Sequence, residues 1–234
     1  MSTGTEAPES SVRFSMVIAF LGTAYAGWQR QHGVVTVQER IEQALAALFP
    51  SKPAVHGSSR TDAGVHAHGM VAHCDVPRAE FRMTPRKLVL AMNAHLPPDI
   101  RVLGARRRPA GFHARFDATG KQYRYRVWTH PAHHPLWLGQ AWHVPRALDL
   151  SAMREAARDL VGTHDFRAFS TTPGYERLHT VRTVRRCSVH RSGPMLTFVI
   201  GGDGFLYRMC RGIVGTLVQV GVGRFSPEIG RAHV

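Results

Sequence analysis

The sequence predicts an α+β fold with two similar-sized lobes, each a mainly antiparallel sheet with helices on one face. Strand patterns and helix patterns interrupt each other in both halves of the chain, and one strand pair is joined by a short Ser192-Gly193-Pro194 turn. Such a turn connects antiparallel strands, whereas parallel strands need a longer crossover. With 234 residues, 44% of them apolar, the chain is long enough for one large domain or two compact ones with a buried core. We expect lobes at residues 12–110 and 111–227, with a basic cleft between them that holds the functional site.

The first lobe is predicted from five local patterns. A β-branched and aromatic run predicts a strand at Val12–Leu21. Thr36 to Glu39 has the pattern of a capping box and predicts the start of a helix. Alternation predicts a strand at Val65–Val76, and Thr84-Pro85 predicts a second helix that extends to about Leu96. A further strand is expected at Ile100–Arg108.

The second lobe repeats this mixture. Lys121–Thr129 alternates strictly, with Tyr123, Tyr125 and Val127 on one face. A helix is predicted at Ser151–Val161, and Gly162 is expected to end it. Two further strands and a final helix, whose apolar residues recur every four positions, complete the lobe: Val181–Val189, Met195–Gly201 and Phe205–Leu217.

The two ends of the chain are expected to lie outside the fold. Residues 1–11 are small, polar and acidic, and they lack the apolar core of a signal peptide. Residues 1–11 and 228–234 are therefore expected to be disordered or non-native. No apolar run reaches the length of a membrane span, so we expect a cytoplasmic protein.

The charge of the chain indicates a polyanionic partner. Thirty basic residues against sixteen acidic ones give a net charge of +14, and only three of the basic residues are lysines. Arginine binds phosphate through a planar fork and stacks on bases. Biased codon usage in a GC-rich genome is the alternative explanation. It accounts for arginine in place of lysine, but not for the excess of basic over acidic residues.

The cysteines give no sign of a disulfide or a metal site. They are odd in number, widely spaced and form no CxxC pair, which is typical of reduced thiols: Cys74, Cys187 and Cys210. A zinc site is the competing idea, but its candidate ligands lack a second pair at the usual spacing: His66, His68, His73 and Cys74. We therefore expect no metal.

The segment from Arg60 to Ala67, Arg-Thr-Asp-Ala-Gly-Val-His-Ala, carries the strongest functional signal. A tight loop of small residues can direct the Asp62 carboxylate towards a substrate. An ordinary Asx-turn, in which the aspartate binds its own backbone, is the alternative. The loop alone favours the Asx-turn, and the motifs around it change that balance.

An ordered set of motifs resembles the TruA family of pseudouridine synthases across residues 13–223. The Arg60–Ala67 segment is similar to that family's catalytic motif. The other matching segments are Tyr25-Ala26-Gly27-Trp28-Gln29-Arg30-Gln31, Thr36-Val37-Gln38-Glu39, Asn93 to Ile100, Phe112-His113-Ala114-Arg115-Phe116, Tyr123-Arg124-Tyr125-Arg126, His164-Asp165-Phe166 and Met209 to Gly215.

The resemblance implies isomerisation of uridine to pseudouridine in the anticodon stem-loop of tRNA, at tRNA positions 38–40. The reaction needs one carboxylate near C1′ and implies no cofactor and no metal. The carboxylate either adds covalently or removes a sugar proton to give a glycal, and the sequence leaves both routes open. The resemblance also implies a homodimer in which one tRNA contacts both subunits.

Four residues receive roles from the resemblance. Asp62 is the expected catalytic carboxylate, and Arg211 is its expected partner, since an adjacent guanidinium stabilises an ionised carboxylate in a closed pocket. Tyr123 is expected to stack on the extruded base, whereas Tyr125 is the better candidate for a packed core aromatic. Arg60 is expected to fill the space near the extruded nucleotide or to contact a phosphate.

The chain departs from the family pattern in a few places. Ser59 stands where the family has Gly, and Asp203-Gly204-Phe205 and Gly212 replace an Asn-Ala-Phe segment and an Asn. The family continues with another helix and a closing strand, so we expect the chain to be truncated and its last seven residues to be non-native. A basic RNA-binding module without catalysis is the alternative function. Glycoside hydrolysis is discounted because no second carboxylate accompanies Asp62.

Overall fold

The computed structural model describes residues 11–171 and 179–229, and it confirms the predicted α+β class. Nine strands and four helices are found among these residues. The strands are β1 (Ser11–Phe20), β2 (His56–Gly57), β3 (Ala67–Pro77), β4 (Ile100–Arg108), β5 (Lys121–Trp128), β6 (Trp142–His143), β7 (Gly162–Asp165), β8 (Val181–Ser192) and β9 (Met195–Gly202). The helices are α1 (Val37–Leu48), α2 (Pro85–His95), α3 (Leu150–Asp159) and α4 (Met209–Gly221).

The chain divides into two compact units, with the division between Ala118 and Thr119. The segment 110–114 lies in the first unit, where two of its carbonyls accept hydrogen bonds from Arg13 and the N–H of Ala114 donates to His73.

The first unit is an antiparallel sheet in the order β2-β3-β1-β4. Alternate residues of β1 face the core and are fully buried, among them Phe14, Met16 and Ile18. Helices α1 and α2 pack on this face and begin at Thr36 and Thr84, whose side chains accept hydrogen bonds from backbone N–H groups of the first helical turn. The opposite face of β1 and β3 carries both polar pairs, Arg13 with Asp75 and Ser15 with His73, and the apolar pair Val17 with Val71.

The second unit is a five-stranded sheet in the order β6-β5-β9-β8-β7, in which only β5 and β6 pair in parallel. Its core contains Val127, Phe198 and Ile200 of the sheet together with Met153 of α3 and Ile213 of α4. Successive side chains of β5, β9 and β8 point to opposite faces of the sheet, and the face away from the core is covered by none of the helices α1 to α4 of the described residues. This second face is called the open face below.

Most predicted elements are present, and the differences lie at their ends. The last helix begins at Met209 rather than Phe205, because Arg208 adopts a left-handed backbone with φ 59°. Helix α3 begins after Asp149, whose carboxylate accepts from the N–H of Ala152, and ends at Asp159 rather than Val161. The short strands β2, β6 and β7 carry too few residues to show a periodic pattern.

The expected disordered ends lie mostly outside the described residues. Within them, Ser11 is the first residue of β1 and pairs with Pro77, and Ile229 packs against the core of the second unit. In the described ranges, no helix is long and apolar enough to cross a membrane.

Candidate active site

The loop that carries Asp62 is braced by the segment Gly22–Trp28. The N–H of Trp28 donates to the carbonyl of Thr61 at 3.0 Å, and the N–H of Gly64 donates to the carbonyl of Tyr25 at 3.3 Å. The ring nitrogen Nδ1 of His66 accepts from the N–H of Gly22 at 2.9 Å. Two sequence motifs that are more than thirty residues apart are therefore joined by three hydrogen bonds around one carboxylate.

The carboxylate of Asp62 is half-buried and does not form an Asx-turn. No hydrogen bond or ion pair to a described residue of the first unit engages it. The turn that holds Asp62 is instead closed by its backbone, because the carbonyl of Asp62 accepts from the N–H of Val65 at 3.2 Å. Gly64 takes the left-handed conformation in this turn, with φ 78°. The side chain is therefore available for chemistry rather than used to hold the loop.

Two neighbours of Asp62 also have unused polar groups. The guanidinium of Arg60 is exposed and has no hydrogen bond or ion pair within the described part of the first unit. The hydroxyl of Thr61 is buried, and it too has no partner among the described residues. A buried polar group without a partner is uncommon in folded proteins, and a role in binding or catalysis is one explanation for it.

Tyr123 lies on β5 in the second unit and is half-buried. The ring of Phe205 meets it edge to face, with ring centroids 5.2 Å apart and an interplanar angle of 89°. Tyr125, two residues further along, packs against the core of the second unit. The two tyrosines share a strand face, and Tyr123 lies at its end, beside the segment that leads into α4.

Arg211 lies in the first turn of α4 and is exposed, whereas its neighbours Met209, Ile213 and Val214 are buried. Its guanidinium has no hydrogen bond or ion pair within the described part of the second unit. The turn is preceded by Arg208 in the left-handed conformation, which costs a non-glycine residue about 1–2 kcal/mol. The pairing of Arg211 with Asp62 stays a prediction.

The open face of the second sheet is basic. Arg124 and Arg126 of β5 point to this face, and the strand register brings Arg186 and His190 of β8 to the same side. Arg126 lies over the ring of Trp137 at 5.6 Å from its centroid. Guanidinium groups next to an aromatic ring can contact both phosphates and bases.

The zinc alternative gains no support from the described residues. Cys74 points into the core of the first unit, and burial raises the pKa of its thiol far above the ordinary value. The rings of His66 and His73 accept hydrogen bonds from the backbone N–H groups of Gly22 and Ala114. In these ranges, no cluster of three histidine, cysteine or acidic side chains has a geometry that could hold a metal.

The structure also identifies residues of the site region that the sequence did not indicate. The hydroxyl of Tyr25 donates to the carboxylate of Asp99 at 2.8 Å, which joins two of the matched motifs. Burial and this hydrogen bond raise the pKa of Tyr25 to about 12. The spacing of the motifs gave no sign of this pairing, because the partners are 74 positions apart. Phe205 and Arg208 were likewise not predicted as neighbours of Tyr123 or Arg211.

The protein-family comparison defines the class to which this site belongs. The family model described as tRNA pseudouridine synthase matches residues 16–117 and 156–233. These ranges include the braced loop of Asp62 and the helix of Arg211. The chain belongs to the tRNA pseudouridine synthase family.

Individual relatives agree with this assignment. The chain is 45% identical over 217 residues to tRNA pseudouridine synthase A of Methylacidiphilum infernorum, a match that covers 93% of this chain and 84% of the relative. It is 46% identical to the protein of the same name from Geobacter sulfurreducens, with 91% and 86% covered. The corresponding protein of Geobacillus kaustophilus is 45% identical, with 92% and 82% covered.

Proposed function

We propose that this protein converts uridine to pseudouridine in tRNA, with Asp62 as the catalytic carboxylate. In this isomerisation the N1–C1′ bond breaks, the base rotates and a C5–C1′ bond forms. The hydrogen at C5 leaves to water as a proton, and N1 gains a proton. No electrons are exchanged with another molecule, so the chain's own side chains can supply all the chemistry.

The unengaged carboxylate of Asp62 carries this proposal. It is half-buried on a loop that backbone hydrogen bonds hold in place, so its position is fixed without the use of its oxygens. A carboxylate that must attack C1′, or remove a proton from the sugar, needs such a combination of fixed position and free lone pairs. Both routes require one acid, and the loop presents one.

The other three residues are assigned supporting roles. Arg211 is proposed to stabilise the ionised Asp62, since its exposed guanidinium is available for an ion pair. Tyr123 is proposed to stack on the extruded uracil, a contact worth about 1–3 kcal/mol that offsets part of the cost of unstacking the base. Arg60 is proposed to fill the space near the extruded nucleotide or to contact a phosphate there.

The net charge of +14 and the basic face of the second sheet support a polyanionic substrate. We propose that this substrate is the anticodon stem-loop, at tRNA positions 38–40. We also propose that the protein acts in the cytoplasm as a homodimer, with each tRNA in contact with both subunits. Neither a cofactor nor a metal is part of the proposed reaction.

Tritium release tests the proposed reaction directly. Unmodified tRNA is labelled with tritium at uridine C5, and the isomerisation expels the label into water. We expect release by the wild-type protein and a loss of at least about 10³-fold in the Asp62→Asn variant, because the amide cannot act as a nucleophile or a base. Arg158→Ala on α3 removes an exposed charge that belongs to none of the matched motifs and serves as the control.

Binding measurements separate catalysis from simple RNA binding. Asp62→Asn should bind the same tRNA with nearly wild-type affinity, because phosphate contacts dominate that affinity. If both proteins bind tRNA and neither releases tritium, the chain is an RNA-binding module. If Asp62→Asn releases tritium at the wild-type rate, the catalytic assignment is wrong.

A further inference from the structure

The imidazole of His66 helps to fix the end of the catalytic loop. Its Nδ1 accepts a hydrogen bond from the N–H of Gly22 at 2.9 Å. Gly22 is buried, so this N–H has no access to water and depends on a protein acceptor. His66 follows Asp62 by four positions, and the N–H of Val65 between them donates to the carbonyl of Asp62.

Gly22 is itself held in place by other contacts, so the hydrogen bond that its N–H donates to His66 can position the loop. The N–H of Leu21 donates to the carbonyl of Asp99 at 2.9 Å, and the hydroxyl of Tyr25 donates to the Asp99 carboxylate at 2.8 Å. A β-carbon on Gly22 would clash with the carbonyl of Val65, so the two backbones lie in direct contact. The contacts with Asp99 therefore hold the segment around Gly22 in place independently of the Asp62 loop.

We propose that His66 is a positioning residue for Asp62, acting through the N–H of Gly22. This inference rests on the proposed function, because it takes Asp62 to be the catalytic carboxylate. The loop has backbone hydrogen bonds to Trp28 and Tyr25 before and inside the Asp62 turn, and His66 supplies the side-chain contact after the turn. Without it, the turn keeps only its backbone contacts, among them the pairing of Ala67 with Phe20, and the buried N–H of Gly22 loses its acceptor. The direction of the Asp62 carboxylate is then less well fixed.

The geometry specifies which replacement can substitute for histidine. Nδ1 of histidine is bonded directly to Cγ, so it occupies the same position along the side chain as Oδ1 of asparagine. Asparagine can therefore offer an acceptor to Gly22, whereas the amide of glutamine lies one atom further out and matches Nε2 instead. Alanine offers no acceptor and leaves the buried N–H of Gly22 unpaired.

The experiment measures single-turnover and steady-state tritium release from labelled tRNA for His66→Asn, His66→Gln and His66→Ala. We expect kcat to fall about 10²-fold in the alanine and glutamine variants, since a displacement near 1 Å has this effect on a positioned group. KM for tRNA should change by less than about threefold, because the proposed role of His66 is a contact with the backbone of Gly22. His66→Asn should retain kcat within about fivefold of wild type, and His95→Ala, an exposed histidine at the end of α2, serves as the control.

The outcomes separate this inference from the proposed function. Thermal melting of each variant tests whether it folds. If the alanine variant does not fold, the comparison of the asparagine and glutamine variants decides the role of His66. Equal kcat in the two amide variants would overturn the acceptor role, as would full activity of His66→Ala. Loss of activity in Asp62→Asn together with full activity of His66→Ala rejects the inference and retains the proposed function. Activity in Asp62→Asn rejects the proposed function itself.

Discussion

Gly27 and Thr61 lie in backbone contact, and a β-carbon on Gly27 would be 2.5 Å from the carbonyl oxygen of Thr61. Gly27 also has φ 94°, a conformation that residues with side chains rarely adopt. Two separate features therefore require glycine at this position. Because Thr61 precedes Asp62, the contact ties a glycine in one motif to the position of the carboxylate in another.

Gly27→Ala is expected to displace the Asp62 loop. The added methyl group must push the Thr61 carbonyl away, and the hydrogen bond from Trp28 to that carbonyl weakens with it. We expect kcat for tritium release to fall about 10²-fold, with a smaller change in tRNA affinity. Gly33→Ala is the matched control: Gly33 has φ 77°, but a β-carbon there meets open space. Equal losses of kcat in the two variants would mean that backbone strain, not displacement of the loop, reduces activity.

The main elements of the fold could be predicted because their local signals agree with the tertiary structure. The strand Ile100–Arg108 was predicted with the bounds that the structure has, and Thr36 and Thr84 act as the predicted helix caps. The start of α4 was predicted wrongly because the apolar period continues to Phe205. The helix cannot include Phe205 once Arg208 turns to the left-handed conformation, and no sequence pattern predicts that turn for an arginine.

The site could be predicted only in part, for a related reason. The motif around Asp62 stands out within one short segment, but its support comes from distant residues. The contacts of the loop with Gly22, Tyr25 and Trp28, and the bond from Tyr25 to Asp99, depend on how β1, α1 and α2 pack. His66 was considered only as a metal ligand, because its backbone partner is invisible to side-chain patterns. Periodicity reports which face is buried and does not report which backbone group a polar side chain meets.

Arg211→Ala is expected to reduce catalysis more than binding. If Arg211 stabilises the ionised Asp62, its loss disfavours the charged carboxylate, and kcat should fall by at least about 10²-fold. Arg211→Lys keeps the charge but not the planar fork, so we expect it to recover only part of this loss. Tritium release with parallel tRNA-binding measurements distinguishes the two effects. A fall in affinity with kcat unchanged would instead identify Arg211 as a phosphate contact.

Asp75→Ala is expected to destabilise the first unit. Arg13 is buried, and its guanidinium donates two hydrogen bonds to the carboxylate of Asp75, at 2.8 and 2.7 Å. Removal of the carboxylate leaves the buried guanidinium with only the carbonyls of Ala110 and Phe112 as acceptors and no opposite charge, which costs about 3 kcal/mol of the free energy of unfolding. Urea denaturation measures the change. Arg30→Ala, which removes an exposed ion pair with Glu42 at 3.4 Å, should cost less than about 1 kcal/mol. If the two variants lose similar amounts of the free energy of unfolding, the buried Arg13–Asp75 pair contributes no more stability than an exposed ion pair.

Arg124→Ala and Arg186→Ala are expected to reduce the salt dependence of tRNA binding. Both side chains are exposed on the open face of the second sheet. Each phosphate contact that is lost should lower the slope of log K against log salt by about 1. Titrations of tRNA at several salt concentrations measure this slope, with Arg158→Ala on α3 as the control. If the slope is unchanged in both variants, the open face does not contact tRNA in the complex.

Acid is expected to destabilise the first unit through His73. His73 is 2% exposed, and its ring accepts a hydrogen bond from the N–H of Ala114 and lies next to the rings of His56 and His113. Burial and the neighbouring histidines lower the pKa of His73 from 6.5 to about 4. An unfolded chain therefore binds a proton more readily than the folded one in this interval. The stabilisation is complete above about pH 6.5 and is lost as the pH falls towards 4, with a slope of at most about 1.4 kcal/mol per pH unit from this group.

His73→Asn tests this assignment because asparagine keeps an acceptor for Ala114 but does not titrate. Urea denaturation between about pH 7.5 and 4.5 should show a steeper loss of stability in the wild type than in the variant. Part of the slope should remain in the variant, since burial also lowers the pKa of His113. Parallel curves for the two proteins would show that the buried ring of His73 does not control the acid sensitivity. If these parallel curves are offset to lower stability in the variant, the substitution has removed only packing around the ring.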